Sequence, residues 1–73
     1  VRYRKKYPHF GEFFADENEI VIRNDDKWRE HLLHELFHGI LFYSGHSERF
    51  EPEDEEALVR ALENGIKSLG FAI

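Results

Sequence analysis

Apolar and polar positions change period along this chain. Over residues 1–7, aromatic and β-branched residues alternate loosely with Arg and Lys, which predicts a short edge strand ended by Pro8. Residues 10–14 are short and aromatic, and Ile20-Val21-Ile22 within 19–23 is a strong strand signal. Ala15-Asp16-Glu17-Asn18 between them is turn-like, so this region reads as a β-hairpin. The period then becomes helical. Asn24 or Asp25 suits an N-cap, acidic residues follow, and Gly45 stands where a left-handed residue ends a helix. A first helix is therefore expected over about 26–43. On its wheel Leu32, Leu33, Leu36, Phe37, Ile40 and Tyr43 cover most of the circumference, which predicts burial on several sides. His31, His34, Glu35 and His38 share the remaining sector.

Residues 45–50 read as a loop. Pro52 suits the first turn of a second helix, and Glu53, Asp54, Glu55 and Glu56 favour its positive end. This helix is expected to reach about Leu69, with Val59, Leu62, Ile66 and Leu69 as its apolar stripe. Gly70 ends it, and Phe71-Ala72-Ile73 forms an apolar tail that packs back or meets a partner. The expected class is α+β: a small antiparallel β-hairpin or sheet packed on two helices, in one domain over 1–73.

Composition narrows the chemistry. A domain of 73 residues buries only about 60% of its extended-chain surface, so its core is marginal. There is no Cys, which removes disulfides and thiolate ligands and leaves His and carboxylates to hold a metal. Metal binding would also help such a domain to fold. The net charge of −5 argues against nucleic acid as a partner, and Arg2, Arg4, Lys5 and Lys6 read as a solvated strand end. No apolar run approaches the ~20 residues of a membrane span and no signal peptide is visible. The expectation is a cytoplasmic protein without a membrane partner. Its first residue is Val rather than Met, as in a processed or trimmed chain.

His34-Glu35-Leu36-Phe37-His38 has the form H-E-x-x-H. Residues four apart on a helix share a face, so both imidazoles can bind one Zn²⁺ while Glu35 acts as general base on the attacking water. A catalytic zinc needs a third protein ligand. The extended metzincin pattern would place Gly at Leu41 and His at Ser44, and neither fits. His46 lies just past the helix end. The acidic run opening the second helix is the better source, with Glu55 and Glu56 as its two candidates; the wheel slightly prefers Glu55.

These segments resemble the minigluzincins, the minimal gluzincin metallopeptidases that include small ImmA/IrrE-like proteins of phages and prokaryotes. The resemblance spans roughly residues 11–69. It rests on Gly11-Glu12-Phe13, Ile20-Val21-Ile22, the run Leu32-Leu33-His34-Glu35-Leu36-Phe37-His38-Gly39-Ile40, and Glu56-Ala57-Leu58-Val59-Arg60-Ala61-Leu62 followed by Asn64-Gly65-Ile66. It implies His34, His38 and Glu56 as ligands of one Zn²⁺ per chain, with Glu35 as the base. It also implies a peptide or protein substrate paired along an edge strand above the metal, for which 19–23 is the candidate. Two features depart from the pattern. The N-terminus is short. Arg60 stands where many gluzincins have an Asp or Asn that orients a ligand histidine, so that role must fall elsewhere. Tyr43, His46 and His31 are the candidates for stabilising the oxyanion.

The leading expectation is a zinc metallopeptidase, weakly active or latent through self-association as a homodimer. The alternative is a structural-zinc or catalytically silent protein-binding domain of the same fold, its fourth ligand coming from His46, His31 or a partner chain. A metal-free domain with its histidines on a solvated face is the third reading.

Overall fold

A computed structural model describes residues 1–71. Its elements are strands β1 (Arg2–Arg4), β2 (Gly11–Phe14) and β3 (Glu19–Arg23), helix α1 (Trp28–Tyr43), a 3₁₀ turn at His46–Arg49, and helix α2 (Pro52–Ser68). The fold is α+β, a three-stranded mixed sheet with two helices. β2 and β3 form the expected antiparallel hairpin, with Glu12 opposite Val21 and Phe13 opposite Ile20. Asn18 closes the turn at a φ of 53°, a left-handed conformation that Asn tolerates.

The N-terminal strand alters the reading of the sheet. β1 pairs in parallel with β3, giving the order β1-β3-β2. β3 is therefore the central strand, which explains why both of its faces are apolar: neighbouring Val21 and Ile22 point to opposite faces and both are buried. A substrate cannot add to β3 along 19–23 as expected, because both of its edges are taken. The outer strands are β1 and β2, and β2 carries the edge that reaches Glu35 at Gly11. Arg23 N donates to Phe10 O at 2.9 Å. By the alternation of an antiparallel ladder, the backbone groups of Gly11 and Phe13 then face away from β3.

α1 packs on β2 and β3 on one side and on α2 on another. The helix starts later than expected. Lys27 is its N-cap without a side-chain cap bond, and the Asp25 carboxylate instead accepts from Lys27 N–H at 2.9 Å within the preceding turn. Burial on several sides is not realised either. Gly39 is the one α1 residue that is fully buried, while Ile40 is 60% and Tyr43 61% exposed. So few elements leave one flank of the helix uncovered. The stripe on α2 is likewise partial: Val59 is buried, Leu62 and Leu69 are exposed. The buried apolar core is small, comprising Val21, Ile22 and Val59 among the described residues.

Helix ends follow the residue chemistry. Gly45 takes a φ of 80° just past α1, and its N–H donates to Phe42 O. Gly70, at 90°, ends α2 in a Schellman arrangement: Phe71 N–H reaches Ile66 O and Gly70 N–H reaches Lys67 O. Pro52 occupies the first turn of α2, with acidic residues behind it. The Ala72 and Ile73 part of the tail lies outside the described residues. No helix among them is long and apolar enough to cross a membrane.

Candidate metal centre

The two helices run antiparallel, and polar pairs join them along their length. His38 meets Glu55 and Glu56, His34 meets Glu56 and Glu63, and Glu30 meets Lys67. The helical period produces this ladder: residues 30, 34 and 38 repeat every turn on α1, while 56, 59 and 63 share one face of α2.

At its centre three donor atoms converge. His34 Nε2 and His38 Nε2 are 3.2 Å apart, and Glu56 Oε1 lies 3.3 Å from the first and 2.7 Å from the second. The opposite nitrogen of each ring faces a carboxylate: His34 Nδ1 lies 2.7 Å from Glu63 Oε1 and His38 Nδ1 2.6 Å from Glu55 Oε2. An ionised carboxylate only accepts, so each Nδ1 carries the proton and donates it. Each Nε2 is then left with a lone pair, aimed at the other Nε2 and at a carboxylate oxygen. Three such acceptors repel one another unless a cation lies among them. Ligands about 2.1 Å from a tetrahedral ion stand roughly 3.4 Å apart, close to two of the three separations. His34, His38 and Glu56 could thus hold a metal ion.

A proton is the competing cation. Burial opposes charge on His38, but the bonds to Glu55 and Glu56 outweigh it and raise the imidazole pKa above its ordinary value. Burial likewise opposes ionisation of Glu56, and nearby His34 and His38 more than offset it and lower its pKa. Glu35, beside the ligands, behaves in the opposite sense. Burial raises its pKa; His34 and His38 counter this in part, and Glu56 and Glu12 reinforce it.

Gly11 makes room for Glu35 beneath the sheet edge. A Cβ there would lie 2.9 Å from Ile22 Cδ1 and 3.0 Å from Glu35 Cγ. Two cavities meet at this point. Gly11, Glu35 and Glu56 line both, while His34 lines one and His38 the other.

Of the two carboxylates that the sequence left open, Glu56 joins the histidines' Nε2 atoms and Glu55 turns to His38 Nδ1. Burial opposes ionisation of Glu55, but Ser47 and His38 hold its pKa down. His46 lies apart, its Nδ1 2.8 Å from Ser44 Oγ. Tyr43 bonds to Asn18 on the hairpin turn. His31 remains in the larger cavity, held by both Asp25 oxygens at 3.1 Å and stacked on Phe10. Among the described residues the chain brings three ligands together, and neither His46 nor His31 is a fourth. Arg60 touches the outer oxygen of Glu56 at 3.8 Å and neither histidine. The residues that sequence reasoning missed are Glu63 and the orienting role of Glu55. Glu63 was within reach of the same wheel, seven residues after Glu56.

Comparison with protein-family models, curated proteins and solved structures finds no match to this chain.

Proposed function

We propose that this chain is a zinc-dependent peptidase of the minigluzincin kind. The observation that carries the reading is the pair of imidazoles whose Nδ1 protons are held by Glu63 and Glu55 while both Nε2 atoms and Glu56 Oε1 converge. Imidazole ligands in metalloenzymes are generally oriented in this way through their second nitrogen. Two histidines and one carboxylate also suit iron(II). The partly buried Glu35 beside the ligands and the open edge of β2 over them favour hydrolysis of a peptide.

His34, His38 and Glu56 would hold the Zn²⁺, which would supply Lewis acidity toward the scissile carbonyl and the attacking water. Glu35 takes a proton from the attacking water as the new C–O bond forms. It passes that proton to the leaving amine as the C–N bond breaks. The outward backbone groups of Gly11 and Phe13 can pair with an extended substrate. His31, fixed by Asp25 in the same cleft, is the best placed of the three oxyanion candidates.

Glu35→Gln tests the reading. The variant should bind zinc as tightly as the parent and lose hydrolysis by several orders of magnitude. Full zinc-dependent activity in Glu35→Gln would refute the mechanism. The structural-zinc alternative gains no ligand from His46 or His31, which makes other contacts.

A further inference from the structure

The two cavities that meet at Glu35 and Glu56 both carry carboxylates, but Lys and Arg line only one of them. The larger, about 810 Å³, is lined by residues from Pro8 to Gly11 and by Arg23, Lys27 and Arg60. Four of its five carboxylates are engaged: Asp25 holds His31, Glu30 meets Lys67, Glu63 holds His34 and Glu56 joins His34 and His38, while Glu35 lies at the junction of the two cavities. Its cations are paired more sparingly with carboxylates. Arg23 donates to the carbonyls of Tyr7 and Pro8 and lies over the Phe10 ring, while neither Arg23 nor Lys27 forms an ion pair with a carboxylate among the described residues. Arg60 has only its 3.8 Å contact with Glu56. The smaller cavity, about 450 Å³, follows β2 onward to Ala15. It is lined by Glu12, Glu55 and the rings of Phe13 and Phe42, and no Lys or Arg lines it.

A peptide extended along the open edge of β2 would cross from one cavity to the other over Glu35. We propose that this cleft selects substrates by charge. An acidic side chain on one side of the scissile bond would sit among Arg23, Lys27 and Arg60, and a basic or aromatic one on the other side would sit by Glu12 and Phe42. The inference rests on the peptidase reading, and carbonyl contacts that leave the Arg23 charge unneutralised are its firmest support. Arg23 is fixed rather than free to swing into solvent, so little side-chain entropy is lost when a carboxylate binds. Each exposed ion pair is worth a two- to fivefold preference, on the order expected for such contacts.

The test uses the zinc-loaded protein and a pool of synthetic decapeptides randomised at the central positions, with cut sites mapped by mass spectrometry. Asp and Glu should be enriched on one side of the cut only, and Lys27→Glu/Arg60→Glu should shift that side toward Lys and Arg by about tenfold. Binding is read separately, as fluorescence anisotropy of labelled acidic and basic decapeptides on zinc-loaded Glu35→Gln. Affinity for the acidic peptides should fall as salt rises. Cleavage with no charge asymmetry, or with asymmetry that the double variant leaves unchanged, overturns the proposal and leaves the peptidase reading intact. Charge-selective binding without any cleavage by the parent supports the proposal and sinks the hydrolytic reading. No binding of either peptide overturns both.

Discussion

Replacing Glu63 tests the metal centre at a residue that would never touch the metal. Its Oε1 accepts the Nδ1 proton of His34 at 2.7 Å, and its side chain is only 18% exposed, so solvent screens the pair weakly. The carboxylate fixes the ring's orientation and holds the proton on Nδ1, leaving the Nε2 lone pair for the metal. Loss of such a partner generally costs 10- to 100-fold in metal affinity, which is about 1.4–2.8 kcal/mol. Glu63→Ala removes the acceptor and should fall in that range. Glu63→Gln keeps an acceptor oxygen but not the charge, and a charge-assisted bond is about twice as strong as a neutral one, so its loss should be roughly half as large in free energy. Both variants change the net charge by one, and Glu53→Gln controls for that: Glu53 lies in the first turn of the same helix and is exposed. Zinc affinity would be measured by competition with a chromophoric chelator at fixed pH and salt, with circular dichroism to check the fold. Glu63→Ala binding within twofold of the parent would refute the orienting role. An equal loss in Glu53→Gln would show that net charge alone is responsible.

Glu56→Ala should lose the metal under gentle chelation while His46→Ala retains it, as metal content per chain would show; equal loss in both would restore His46 as a ligand. Gly11→Ala should destabilise the fold by about 1–3 kcal/mol, since its Cβ would press on Ile22 and Glu35. It should also reduce hydrolysis more than zinc content, and a variant as stable as the parent would contradict the crowding. The metal-free protein should be most stable between the ordinary carboxylate value of 4.5 and the ordinary imidazole value of 6.5. His38 has a raised pKa, so its contribution is full below 6.5 and fades as pH rises through the folded value. Glu55 and Glu56 have lowered values, so theirs is present above 4.5 and fades as pH falls through them. Tm against pH in chelator would check this, and a flat profile would count against the ladder as a source of stability.

The local features of this chain were legible because they depend on neighbours in sequence. The hairpin around Asn18, the left-handed Gly45 and Gly70, Pro52 opening α2, and His34, Glu35 and His38 on one helical face all follow from backbone preference and period. Tertiary structure decided what depends on elements meeting. Whether β3 was an edge turned on the parallel pairing of Arg2–Arg4, a contact between segments far apart in sequence, which left β1 and β2 as the edges. The wheel of α1 gave the direction of each apolar side chain but not how much partner surface existed, and so overstated its burial. Glu55 and Glu56 are one ~100° step apart. Only the angle and register at which α2 packs on α1 sent one to the lone pairs of His34 and His38 and the other, with Glu63, to their Nδ1 protons.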